Sequence, residues 1–194
     1  MRRIWLATLV APLLLTGCGY NTIQRYDEQA QASKQQIEVQ LQRRADLIPN
    51  LVSTVKGYAA QEEAIFVKVA EARAGLVGAI KGGDATQMAN ANQSMTGALG
   101  RLLAISESYP QLKSDQSFLR LQDELAGTEN RIAVSRTDYN GAVQTYNSYI
   151  RSFPQVLTAK MTGAKERTYF EVTSAAAKEV PTVDFGKAEK AKAP

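Results

Sequence analysis

With 194 residues, 44% of them hydrophobic and 22% charged, the chain is long enough to bury a single sizeable core. It contains no histidine, which removes the commonest general base, the usual pH switch and the favoured nitrogen ligand of zinc, and its single cysteine rules out an internal disulfide. The net charge of +4 falls to 21 basic against 19 acidic side chains without Arg2 and Arg3, and the charges are scattered rather than clustered among aromatics, which excludes an electrostatic nucleic-acid surface.

The first eighteen residues carry an export signal: a positive start at Arg2 and Arg3, an apolar run from Ile4 to Leu15, then small residues. The run contains Pro12 and is shorter than the roughly twenty residues a spanning helix needs. Leu15-Thr16-Gly17-Cys18 resembles the bacterial lipoprotein lipobox, in which the cysteine thiol takes a diacylglycerol, the leader is cut just before it, and the new amino terminus accepts a further chain such as palmitate. Residues 1–17 are therefore expected as signal peptide and Cys18 as the lipid attachment, with an uncleaved single-pass anchor as the alternative. Gly19 stands where lipoproteins kept at the inner membrane often carry aspartate, so in a cell with two membranes the outer one is favoured, with the protein facing the periplasm.

Residues 18–40 read as a helical stem, mostly solvated, because Gln, Ala, Glu and Lys dominate it. An apolar stripe then runs through Ile37, Leu41, Ile48, Val52 and Val55. Pro49 lacks an N–H and presses on the carbonyl of Ala45, which predicts a kink or break at Asp46–Pro49. The run continues through Ile65, Val69 and Leu76 to the paired Gly82-Gly83. Asp84 with Gln87 makes a helix start, and Met88, Met95 and Leu102 repeat in sevens until Tyr109-Pro110. After Ser114-Asp115 comes the longest pattern: Phe118, Leu125, Ile132, Tyr139, Tyr146 and Phe153, widened by Leu121, Val143 and Ile150. A short helix from Pro154 to about Gly163 follows, and residues 172–194 are expected to be a flexible tail, disordered from Lys187 onward.

Length limits the architecture. A straight rod from Asn21 to Gly78 would reach roughly 85 Å, against about 35 to 40 Å for the Asp84 helix that returns beside it. A break at Asp46–Pro49 gives segments of more comparable length. The predicted fold is thus all-α, an antiparallel up-and-down four-helix bundle over residues 41–171.

Several separated motifs resemble the LemA family. They are Arg43-Arg44-x-Asp46-Leu47-Ile48-Pro49-Asn50-Leu51-Val52 with Val55-Lys56-Gly57-Tyr58, then Glu107-x-Tyr109-Pro110-x-Leu112-Lys113, then Phe118-Leu119-x-Leu121-Gln122-x-x-Leu125 with Glu129 and Ile132. Arg136-x-x-Tyr139-Asn140-x-x-Val143-x-x-Tyr146-Asn147, Phe153-Pro154 and Tyr169-Phe170-Glu171 complete the set, in order along nearly all of the chain beyond the leader. The resemblance implies an antiparallel helical bundle held to a bacterial membrane by its amino-terminal segment. It implies no reaction.

The candidate interaction or register-setting residues are Arg43, Arg44, Asp46, Asn50, Glu129, Arg136, Tyr139, Asn140, Tyr146 and Asn147. The charged ones, with Glu62 and Glu107, are expected to form a network or solvated pairs that fix helix register. The two Tyr-Asn dipeptides lie two helical turns apart, with hydroxyls that need partners if packed. Adjacent acids such as Glu62-Glu63 and Asp123-Glu124 diverge by about 100° on a helix, so they do not converge as a catalytic pair. No catalytic residue, metal ligand or cofactor is assigned. The expected function is a membrane-anchored, non-catalytic interaction or scaffold module of the cell envelope, with unidentified envelope proteins as partners. The alternatives are a hydrolase using Ser-Lys or carboxylate chemistry, and a lipid or small-molecule carrier.

Overall fold

The computed structural model describes the backbone of residues 2–173 and the side chains from Gly19 onward. Within that range the chain is all-α. Four longer helices, α1 (Arg2–Lys56), α2 (Glu63–Gly82), α3 (Ala85–Ser108) and α5 (Gln116–Arg151), are accompanied by two short ones, α4 (Pro110–Lys113) and α6 (Gln155–Thr162). Of the two short helices, α6 is the one expected from Pro154 to about Gly163, and α4 is an addition to the expected elements.

Helix α5 lies antiparallel along α1. Tyr26 of α1 meets Tyr149, Gln40 meets Arg131, Arg44 meets Glu129, and Tyr58, just past α1, meets Asp115. On α1 the buried seam is a heptad series, Ile23, Ala30, Ile37, Arg44 and Leu51, and the facing series on α5 is Phe118, Leu125, Ile132, Tyr139 and Tyr146. The expected seam on α5 is present except at its last member: Phe153 lies beyond the end of the helix at Arg151 and is 82% exposed. The stretch from Asn21 to Gln40 is exposed on one side as expected, but Ile23, Ala30 and Ile37 on its other side are almost fully buried. It packs with the other helices rather than standing clear of them.

The break expected at Asp46–Pro49 is absent, because α1 is continuous through Pro49. The physical reason lies on α2. Proline leaves the carbonyl of Ala45 without its intrahelical donor, and the Nε of Arg73 donates to that oxygen at 2.8 Å. A tertiary hydrogen bond replaces the missing local one. The chain turns instead at Gly57–Glu62, where the Gly57 N–H is shared between the carbonyls of Ser53 and Thr54, and Ala59 is buried in the turn. The Tyr58 hydroxyl donates to Asp115 Oδ2 at 2.9 Å and ties this turn to the start of α5.

The other boundaries follow the local chemistry. Gly83 closes α2 at φ 70°, with its N–H on Ala79 and Ile80, and Asp84 caps α3 by accepting the Gln87 N–H at 2.7 Å. Tyr109 leaves the helical region ahead of Pro110, and Asp115 accepts the Phe118 N–H at 2.9 Å. The main core spans α1 to α5, whereas Ile23, Tyr146, Ile150 and Ala159 form a small separate cluster where α6 meets the lower part of α1. After α6 an extended strap, residues 164–173, runs back along α5 toward α3. Val172 and Thr173 still belong to it. The rest of the expected tail, including the part from Lys187, lies outside the described residues.

Candidate interaction face

The Arg43 to Asn50 segment is divided by the geometry of a helix. Successive side chains are about 100° apart, so Arg44 turns inward while Arg43, Asp46 and Asn50 turn out. They share an exposed side of α1 with Val39, which is 62% exposed. Asp46 accepts a hydrogen bond from Gln42 Nε2 at 2.8 Å. This face therefore offers an apolar contact, a cation, a carboxylate and an amide on one rigid helix.

Arg44 occupies a seam position and is only 4% exposed. Its guanidinium donates to Asn92 Oδ1 at 2.6 Å and to Thr96 Oγ1 at 3.1 Å on α3, and pairs with the Glu129 carboxylate on α5. One residue thus links three helices at a fixed level. Its Nε has no hydrogen-bond partner among the described residues. Desolvation pulls the pKa of Arg44 below its ordinary value and the Glu129 charge opposes that, yet guanidinium stays protonated under any ordinary condition. Glu62, Glu107 and Arg136 are not brought to this centre.

Tyr139, Asn140, Tyr146 and Asn147 face the strap. Asn147, 2% exposed, donates to the Arg167 carbonyl and accepts the Arg167 N–H, both at 2.9 Å. Asn140 does the same for Phe170, accepting its N–H at 2.9 Å and donating to its carbonyl at 3.4 Å. Asn90 of α3 continues the pattern, accepting the Thr173 N–H at 3.1 Å and donating to its hydroxyl at 3.2 Å. The spacing has a simple cause. Seven helical residues rise about 10.5 Å, and three extended residues cover about 10 Å, so two asparagines one heptad apart meet every third residue of an extended chain.

The tyrosines complete the arrangement. The Tyr139 hydroxyl donates to the Thr168 carbonyl at 2.7 Å, and burial pushes its pKa up. The Tyr146 hydroxyl is also pushed up, by burial first and by the nearby Asp27 charge second. Arg167 grips Asp27 of α1 through two hydrogen bonds, at 2.8 and 3.0 Å, and Gln31 at 3.1 Å. The hydrogen bond to Asp27 raises its pKa more than burial lowers it. Arg136 remains exposed at the lip of an open groove of about 730 Å³ between α5 and the strap, beside Asn140, Gln144 and Glu171.

Asn90, Asn92, Thr96, Asp27, Gln31 and Arg167 were not among the sequence candidates. Asn90 and Asn92 carried one signal, two amides on one helix with no capping role, while Arg167 sits in a segment with no periodic pattern. The backbone of α1 passes through Cys18, whose side chain lies outside the described range. Among the described residues no group of three or more His, Cys, Asp or Glu is placed to hold a metal, and no helix is long and apolar enough to cross a membrane. The Ser106 hydroxyl donates to the Leu103 carbonyl at 2.7 Å within its own helix.

The sequence profile of the LemA family matches residues 33–185, which takes in the polar segment of α1, the Arg44 centre and the whole strap. The chain belongs to the LemA family. Among curated proteins, magnetosome protein MamQ 2 of Paramagnetospirillum magneticum is 34% identical over 187 aligned positions, covering 84% of this chain and 67% of the relative. Magnetosome protein MamQ of Magnetospirillum gryphiswaldense is 32% identical, covering 88% of this chain and 71% of the relative. This LemA-family chain therefore shares most of its length with both.

Proposed function

We propose that this LemA-family protein is a non-catalytic interaction module of the bacterial envelope, an up-and-down four-helix bundle tethered to a membrane by acylated Cys18. The observation that supports this most is the continuity of α1. One helix runs from the apolar leader region through Pro49 to Lys56, so the exposed Val39–Arg43–Asp46–Asn50 face is carried on the same rod as the anchor. From Cys18 to Arg43 the rise is about 37 Å, which sets how far the face can reach from the bilayer. Confinement to a surface raises the effective concentration of that face toward other membrane proteins.

The buried polar groups support the same reading, because they hold the helices and strap in register and leave the α1 face to act outward. The periplasmic side is the proposed location, at the outer membrane in a cell that has two. The name of the relatives, magnetosome protein, ties them to a cellular structure rather than to a metabolite, and the partner proposed here is likewise an envelope protein. Intact-mass measurement of the protein purified from membranes tests the tether: the expected form begins at Cys18 and carries two or three acyl chains. A form that retains the leader from Met1 and carries no acyl group overturns it.

A further inference from the structure

Helix α6 is two-sided in a way the fold does not use. Ala159 on its inner side is 3% exposed and packs with Ile23, Tyr146 and Ile150. On the outer side Leu157 and Met161, one turn apart, are 54% and 83% exposed, and Phe153, two residues before the helix, is 82% exposed. Phe153 and Met161 are among the most exposed large apolar side chains described, and Leu157 and Met161 form a row on one helix face.

The place of this row identifies what covers it. A methyl at Gly19 would sit 3.6 Å from the Thr158 hydroxyl, so α6 runs against α1 one residue past Cys18. Cys18, the proposed point of acylation, is the preceding residue on the same helix, about 1.5 Å away along its axis. Exposed basic residues surround the row, Arg151, Lys160 and Lys165, against one acid, Glu166, which Arg151 faces at 3.7 Å. Tyrosines gather at the same end: Tyr20 is 43% exposed and Tyr26 meets Tyr149 edge-on at 5.2 Å. Apolar edge, basic flank and aromatic belt together are the chemistry of a helix lying in a membrane interface.

We propose that the Phe153–Leu157–Met161 edge of α6 inserts into the headgroup and acyl boundary of the bilayer that holds the amino terminus. The inference rests on the tether proposed above and adds a second contact to it. A single flexible attachment leaves a rod free to tilt. Two attachments on adjacent helices fix its orientation, and with it the direction in which the α1 face points.

Depth-dependent quenching tests this with the acylated protein. The sequence's one tryptophan, Trp5, lies in the leader that is cut away, so Met161→Trp places a single one on the edge, with Val134→Trp, at a 62% exposed position of α5, as the control. Each variant is reconstituted in phosphatidylethanolamine and phosphatidylglycerol vesicles containing lipid brominated near the headgroup end of its chains. The expected result is a blue-shifted emission from Met161→Trp that is quenched several-fold more strongly than that of Val134→Trp. Equal quenching of the two in protein that floats with the vesicles overturns the inference and leaves the tether standing. A blue shift without quenching overturns it too, because the edge is then covered by protein. Protein that fails to float overturns tether and inference together. The triple variant Phe153→Ser, Leu157→Ser, Met161→Ser provides an independent readout: it melts as the parent does, and tryptic cleavage after Lys160 on vesicles becomes several-fold faster. An unchanged cleavage rate contradicts the proposal.

Discussion

One polar centre, at Arg44, lies within the seam between α1 and α5 and another lies between α5 and the strap, and they are built on opposite rules. The strap ladder is neutral and closed: Asn147 and Asn140 each answer a backbone N–H and a carbonyl with an amide of matching shape. The Arg44 centre is charged and, among the described residues, incomplete, with a buried guanidinium whose Nε has no partner there and a Glu129 side chain that is 45% exposed. A closed neutral ladder contributes stability, because every group taken from water is repaid by a partner. A buried ion pair contributes little net stability and much specificity, since only one register of three helices brings its members together. The difference teaches that burial of a polar side chain says little by itself, and that completeness of its bonding decides what the side chain is for.

The ladder gives the largest expected effect. Asn147→Ala removes two hydrogen bonds from a buried amide and leaves the half-buried N–H and carbonyl of Arg167 without their partner, so urea unfolding is expected to show a loss of about 2 to 4 kcal/mol. Hydrogen exchange of residues 167–170 rises in step. The half-buried Asn140 is expected to cost about half as much when changed to alanine. Equal effects at both positions, or a loss under about 0.5 kcal/mol at Asn147, would break the contrast drawn here.

Glu129→Ala comes next. It leaves the guanidinium with only the neutral Asn92 and Thr96; the paired carboxylate oxygen is buried but the side chain as a whole is 45% exposed, which limits the expected loss to about 1 to 3 kcal/mol. The double change Arg44→Met with Glu129→Met is the sharper test, because it removes both charges with the cavity filled. The expected change is within about 1 kcal/mol of the parent, in either direction, together with a broader distribution of helix registers seen by disulfide trapping between α1 and α5. A loss as large as that of Asn147→Ala would make the two centres alike and refute the distinction.

How much of this was open to reading from the chain depends on where the determining partner lies. The seam on α5 was legible because a seven-residue period is a property of the helix itself, and it failed only at Phe153, where the period was carried past the end at Arg151. The caps at Asp84 and Asp115 were legible for the same local reason. Pro49 misled, because its local cost is met by Arg73, a residue 28 positions after Ala45. Arg44 was recognised as polar and potentially internal, but its place in the series Ile23, Ala30, Ile37, Arg44, Leu51 appears only when the stripe is started below Ile37. The strap was invisible: it has no period of its own, and its bonds come from Asn147, Asn140 and Asn90 on two other elements.

Smaller effects refine the comparison at the far end. The Asp115 carboxyl is held below its ordinary value of 3.8, first by the Phe118 N–H and then by the Tyr58 hydroxyl. Its folded-state pKa is depressed, so its stabilisation is present above the unfolded value and is lost as pH falls through the folded one. Asp115→Asn is expected to lower stability modestly at neutral pH and to converge with the parent in acid, which flattens the acid limb of the stability profile. An identical acid limb in the variant would show that this cap does not titrate with folding. The smallest effect on stability is expected on the exposed face of α1, where Arg43→Glu should stay within about 0.5 kcal/mol of the parent.

That near-silence in stability makes the same face the most direct place to test the proposed function. A photo-crosslinking residue at Asn50 in intact cells, with the protein on its natural anchor, is expected to yield a discrete envelope-protein adduct that Arg43→Glu abolishes while abundance and membrane retention hold. A diffuse set of neighbours, unchanged by Arg43→Glu, would contradict the account of α1 as a rod that presents a dedicated face.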